Sequence, residues 1–501
     1  MKMNIKRILI TVFAVSLLLH LQGQTGKPYV VADFTESDLP KMLELCHQGG
    51  FEMLIEKDPF STYGHYEWNP NFAPEGDKSV KRMVKSAEYE GVTLGLIVQE
   101  EFISLNDAYF SQKYFKQYQC SEPLRLFDEI TATDVDIALR RSESMKSLST
   151  LNLLLIDDEM VSIGTLEFAG DLVLLHHCTR GLYGTKKASH GVNAKAYKIY
   201  DTPDRCVLPA GELLEQVRQN LADRLANTEV SCVLHKGDPG QELLENSVRV
   251  RQVESWENDG IANNTLGWFG IHAADKKRAA TSMEELEWLL SKSAAFDACY
   301  GLMLDPAAQN HGAISEMIEK IKQWNTLTQN KAFNSLQKET MRDPYLDWHL
   351  EKRTDSLFNL YPWNFSRRYQ CDLHEVDTGL LQGEPWIWNV EEEGGFGLRL
   401  QVEGNVDITN PMVNTSKGLL MFPCTIKPGQ RLIYDFEEVA YVMDANLKIL
   451  QEVAIEGVSE LAKGDNEVSF YCEVDPEAEQ LPVVRLRYIT RDVPFVIRPH
   501  K

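Results

Sequence analysis

The residues of this chain best suited to chemistry lie between Phe51 and Pro70, FEMLIEKDPFSTYGHYEWNP. A short apolar run, Phe51 to Ile55, stops abruptly at Glu56, and Asp58, Tyr63, His65, Tyr66, Glu67 and Trp68 follow. Carboxylates supply an acid, a base or a nucleophile, and aromatic faces pack on the apolar faces of sugar rings. Ligands bind in parallel α/β folds where strands open at their C-terminal ends into polar loops. Further acids at such strand ends are Asp33 in YVVADF, Glu100 closing VTLGLIVQE, and Asp305 after ACYGLML. Trp268 in TLGWFGI takes the corresponding place on another strand, as a sugar platform or a core aromatic. His65 would orient a substrate hydroxyl or bond a loop carbonyl.

The elements that must position these residues alternate. Strands are expected at Tyr29–Phe34, Phe51–Glu56, Val92–Val98, Val230–Leu234, Thr265–Ile271 and Ala298–Leu304, with a doubtful one at Ser247–Ser255. Helical spacing falls at Leu39–His47, Asp77–Glu90, Gly211–Ala226, Met283–Ala295 and Ile314–Trp324. Continuous apolar strands alternating with helices predict an α/β fold with a parallel sheet covered by helices. Residues 24–118 and 205–330 fall short of the ~250 typical of a (β/α)8 barrel, so an irregular or incomplete barrel is expected. Residues of about 119–204 alternate in short segments and predict an inserted antiparallel β-module. Within it Asp157-Asp158-Glu159 reads as a hairpin turn, and Arg180–Thr185 as a structural turn. Residues 331–369 are expected to connect the barrel domain, 24–330, to a β-sandwich over 370–501.

Lys2, Lys6 and Arg7 precede an apolar run, Ile8 to Leu21, with Gly23 at the expected cleavage point. This predicts a signal peptide over 1–23 and an exported protein, periplasmic or extracellular, with no membrane insertion. The net charge of −23 argues against nucleic acid as a partner. Nine cysteines stand at wide, irregular spacings that give no zinc pattern and no disulfide framework. No motif implies a metal or cofactor, and GxSxG, HExxH, Walker and dinucleotide signatures do not occur.

TYGHYEWN (62–69), FISLNDAYF (102–110), CTRGLYGTKKASHG (178–191), LGWFGI (266–271) and TSMEELEWLLSKSAAFDACYGL (281–302) together resemble a group of exported, glycosidase-like TIM-barrel proteins of polysaccharide-degrading bacteria. The resemblance covers roughly residues 28–305. It implies a carbohydrate partner, leaving protein partners open, and a glycoside hydrolase-like action on a polysaccharide or oligosaccharide. Glu56, Asp58 and Glu100 would then be the catalytic candidates, and Asp33, Tyr63, His65, Trp68, Trp268 and Asp305 the substrate-binding ones. One departure favours a non-catalytic glycan-binding protein instead. Where such proteins carry an Asp-Gly-x-Glu type cluster, this chain reads VSCVLHKGDPGQELLENSVRVRQVES (230–255). A lyase acting on a uronic-acid polymer through a Tyr/His pair is the third reading.

Overall fold

The structure, a computed structural model, describes residues 26–142, 151–304, 308 and 310–499. The expected signal peptide and Asp305 lie outside the described residues. The chain divides into two units, one of Asp33–Pro40 and Ile55–Asp238, the other of Gly23–Ala32, Lys41–Leu54 and Pro239–Lys501.

In the first unit, strands Thr93–Val98 and Cys232–His235 pair in parallel, with Gly95 opposite Cys232 and Val98 opposite His235. Helix Asp77–Tyr89 buries Val80, Met83, Val84 and Ala87, one face at the 3.6-residue period. Helix Gly211–Thr228 likewise buries Leu213, Val217, Leu221 and Leu225. Between these elements the chain forms two antiparallel sheets. Ile137–Arg140, Leu172–His176 and Thr165–Ala169 make one; Thr179–Leu182, Glu159–Ser162, Leu153–Ile156, Lys195–Lys198 and Leu124–Arg125 make the other. Their apolar faces share a core that includes Leu139, Leu154, Val161, Val173 and Ala196.

In the second unit, Tyr29–Ala32 and Thr265–Ile271 both pair in parallel with Cys299–Leu304. Gly301 is obligatory there, because a Cβ would stand 2.5 Å from the Trp268 ring. Helix Met283–Phe296 opens with a capping box, Ser282 Oγ accepting the Glu285 N–H and Glu285 accepting the Ser282 N–H. It is buried from Leu286 to Ala295, as expected of a helix covered on all sides. The doubtful strand at Ser247–Ser255 is instead helix Arg249–Asn258. The Val248-Val250-Val253 run mimics strand alternation, but Val253 is buried and Trp256, one turn on, packs against Trp288 and Phe296. That three-residue spacing fits only a helix.

The C-terminal region is antiparallel throughout. One sheet runs in the order Asp347–Thr354, Leu357–Phe365, Val483–Arg491, Gly397–Glu403, Arg431–Tyr434, Val439–Met443, Ile449–Ala454. The second contains Leu373–Asp377, Leu380–Gly383, Gly464–Glu473, Ile408–Thr415 and Gly418–Met421. Leu398, Leu432 and Leu486 of the first meet Val413, Leu420 and Phe470 of the second in one apolar core, a sandwich-like arrangement. The expected connector therefore contributes two strands to the first sheet: Trp348, Leu350 and Leu360 alternate inward, while Lys352 and Arg353 obscure that pattern in the sequence. The chain is thus a mixed α/β protein with parallel strand pairing and a large antiparallel C-terminal region.

Candidate functional site

Glu56 ends strand Met53–Glu56 and is fully buried. Its Oε2 accepts the Phe34 N–H at 3.2 Å and its Oε1 the Asp58 N–H at 3.1 Å. Burial pushes its carboxyl up to about 8, against the lowering effect of those two N–H groups. The charges of Asp33 and Asp58, both exposed, act in the same direction as burial. Asp58 also acts on Tyr63, whose half-buried hydroxyl is pushed up first by burial and then by that charge. Asp33, Glu56, Asp58 and Tyr63 therefore form one electrostatic group.

Residues after the neighbouring parallel pair extend it. The buried Tyr66 donates its hydroxyl hydrogen to the Gln99 carbonyl at 2.9 Å, and Gln99 Nε2 donates to Asp204 at 2.8 Å. Lys236 pairs with Asp204 at 3.0 Å, and Glu100 lies 3.9 Å from the His235 ring. Tyr66 and Glu101 hold positive φ, 54° and 63°, a conformation that costs non-glycine residues energy and clusters at functional sites.

His65 has a fixed orientation. Asp107, itself buried, accepts the His65 backbone N–H at 2.8 Å and faces Nδ1 at 2.7 Å. The imidazole stacks on Tyr109 at 3.8 Å, and Asn220 bonds both the Tyr109 hydroxyl and the Gly64 carbonyl. With Nδ1 carrying the hydrogen toward Asp107, Nε2 remains the acceptor on a side chain that is 38% exposed. Such a group can accept a hydrogen bond from a hydroxyl.

The tryptophans are placed differently. Trp68 is 8% exposed, stacks on Phe60 and donates its indole N–H to Asp77 at 2.6 Å. Trp268, in the other unit, is 9% exposed and donates to the Tyr29 hydroxyl at 3.0 Å. Both indoles are buried, with their N–H groups hydrogen-bonded inside the protein.

Sequence reasoning missed Asp107, Asn220, Gln99 and Asp204. The motif FISLNDAYF contained Asp107, but only the fold shows that it holds His65. It also missed a network in the β-module: Arg180 bonds Glu159 through Nε at 2.8 Å and Nη2 at 2.7 Å, and His190 bridges Asp157 and Glu159 at 2.7 and 2.9 Å. Among the described residues, no group of three or more His, Cys, Asp and Glu is arranged to hold a metal ion, and no helix is long and apolar enough to cross a membrane.

No family model and no curated relative matches the chain. Solved structures similar to it include glycoside hydrolases. They include the GH36 alpha-galactosidase AgaA from Geobacillus stearothermophilus, in complex with stachyose (10% identity, TM-score 0.32, covering 90% of this chain and 56% of that one). An alpha-amylase from Geobacillus thermoleovorans, complexed with acarbose, matches at 8% identity and TM-score 0.31, covering 90% of this chain and 99% of that one. A maltogenic alpha-amylase, AmyB, from Thermotoga neapolitana matches at 7% and 0.32, covering 89% and 98%. At such scores the likeness carries no weight for function, which rests on the residues themselves.

Proposed function

We propose that the chain is an exported, glycoside hydrolase-like protein that acts on a polysaccharide or oligosaccharide, its parallel part an irregular (β/α)8-like barrel. The observation that carries this reading is Glu56, a carboxyl pushed up to about 8 and flanked by exposed Asp33 and Asp58. A carboxylic acid that keeps its proton at neutral pH is the general acid that glycosidic bond cleavage needs. Asp58 or Asp33, with Glu100 as the further candidate, would supply the second carboxylate. Tyr63 and the Nε2 of His65 would hold sugar hydroxyls.

Cleavage then proceeds by protonation of the glycosidic oxygen from Glu56 as the bond to the anomeric carbon breaks. The second carboxylate attacks that carbon or deprotonates the attacking water, according to the carboxyl separation. Because both Glu56 oxygens accept backbone N–H groups, proton delivery requires the 57–58 turn to open when substrate binds. The same burial supports a second reading, in which Glu56 only shapes the loops of a non-catalytic glycan-binding protein. Incubation with a panel of glycans separates the two: released sugar, lost in Glu56→Gln, supports the enzyme, and saturable binding without release supports the binder.

A further inference from the structure

A cavity lies in the other unit, at the C-terminal end of strand Thr265–Ile271. It measures about 420 Å3 and is lined by His272, Ala274, Asp275, Arg278, Asn310 and Asn446. That size falls within the ~300–1,000 Å3 of small-molecule sites, and open α/β sheets bind ligands at such strand ends.

Its walls are held by hydrogen bonds. Thr281 closes the 273–280 loop: its N–H donates to the His272 carbonyl at 3.1 Å, and its Oγ1 accepts the His272 N–H at 3.1 Å. The buried His311 donates from Nε2 to the Thr281 carbonyl at 2.7 Å. Asn446 comes from a turn of the β-region, its Oδ1 accepting the Ala274 N–H at 2.9 Å and its carbonyl the Gly312 N–H at 2.7 Å. Asp275 accepts the N–H groups of Lys277 and Arg278 at 2.7 and 2.9 Å. A site whose groups are held in place loses little entropy when it binds.

The chemistry of the lining selects a ligand. Asparagine amides, an imidazole and a carboxylate suit hydroxyl groups. Arg278 uses Nε on Asp275 at 3.1 Å, while its two terminal nitrogens make no hydrogen bond among the described residues. That fork matches a carboxylate or a sulfate ester. Lys276 and Lys277, exposed and without an ion-pair partner among the described residues, stand beside it in a chain of net charge −23. Within residues 275–278 three cations, Lys276, Lys277 and Arg278, outnumber the one acid, Asp275, a local balance that favours an anionic ligand.

We propose that this cavity binds one anionic sugar unit, a hexuronate or a sulfated hexose. Arg278 clamps the acidic group, and Asn310, Asn446 and His272 take the ring hydroxyls. The assignment is independent of turnover at the Glu56 site.

Isothermal titration of the full chain tests it with methyl glucuronide, glucose 6-sulfate, methyl glucoside and inorganic sulfate at matched ionic strength. The expected result is one saturable site that binds one or both acidic sugars at least tenfold more tightly than the neutral glycoside or inorganic sulfate. Which acidic sugar binds more tightly distinguishes carboxylate from sulfate ester. Arg278→Gln should weaken that binding tenfold or more with an unchanged melting temperature, since the side chain is 55% exposed. Asn446→Asp keeps the acceptor for the Ala274 N–H but adds negative charge, so it should weaken the acidic sugar more than the neutral one. Glu56→Gln should leave the affinity unchanged. Absence of binding, equal affinity for acidic and neutral sugars, equal affinity for inorganic sulfate, or an Arg278→Gln variant that binds as wild type would each overturn the proposal.

Discussion

The buried carboxyl of Glu56 accepts the backbone N–H of Phe34 at 3.2 Å, so a single side chain links the loop after strand Tyr29–Ala32 to the end of its own strand. An ionised carboxylate would suit those N–H donors, but burial, with the charges of Asp33 and Asp58, outweighs them. The balance leaves it protonated near neutral pH.

That balance has a consequence for stability. The folded-state value, about 8, lies above the ordinary carboxyl value of 4.5, so the folded protein holds more protons than the unfolded chain between those limits. Stability should therefore fall as pH rises from 4.5 to 8. Glu56→Gln should flatten that slope. Urea denaturation at pH 5, 6.5 and 8 measures it; equal slopes in the two proteins would refute the assignment.

Arg180 and Glu159 form a pair in which each side chain is 1% exposed. Burial raises the Glu159 carboxyl, but hydrogen bonds from Arg180, His190 and the Ala188 N–H outweigh it and hold the group near 2. Its contribution to stability is present above the ordinary value of 4.5 and is lost as pH falls toward 2. Arg180→Met should destabilise the protein by about 3–5 kcal/mol, because it removes the guanidinium partner of a buried carboxylate. Adding Glu159→Leu should recover a large part of the loss, as chemical denaturation of the double variant would show.

These two carboxylates mark what the sequence could and could not reveal. Strand Thr265–Ile271 and the helix at Asp77 were legible because apolar periodicity is local. The turn at Asp157-Asp158 was legible as well, and Asp157 has the positive φ, 51°, that Asp tolerates. Glu159 begins the next strand, opposite Ile156, and its partners stand 21 and 31 residues away. No local pattern encodes that. Asp107, 42 residues from His65, is hidden for the same reason. The exposed Lys352 and Arg353 concealed the hairpin of Asp347–Phe365, whereas valine alternation at 248–253 suggested a strand in a helix.

Gly64 holds φ at 120°, and a Cβ there would stand 2.9 Å from Asp107. Asp107 cannot retreat, since the N–H groups of His65 and Tyr109 and the His65 ring fix it. Gly64→Ala should cost about 1–3 kcal/mol through backbone strain and close contact. It should also weaken glycan binding by releasing His65. Thermal melting and a binding isotherm check the two effects separately.

Lys292 is buried on helix Met283–Phe296 and donates to the carbonyls of Met341 and Asp343 at 2.5 and 2.6 Å. Burial pushes its ammonium down to about 7, although Asp347 and Asp343 pull it upward. The unfolded chain therefore holds more protons between pH 7 and 10.5, and stability from this group should rise with pH across that window. Lys292→Met should remove the rise, which denaturation at pH 7 and 9.5 would detect as a smaller difference between the two midpoints.

The pH dependence of kcat/KM for sugar release, in wild type and in Glu56→Gln, decides whether Glu56 is the general acid. With Glu56 as general acid, wild-type activity should decline as pH rises through about 8. Glu56→Gln should lose roughly 10²–10⁴-fold in rate while still binding the glycan. No release from any glycan, or a Glu56→Gln variant with wild-type turnover and the same alkaline limb, would contradict the account.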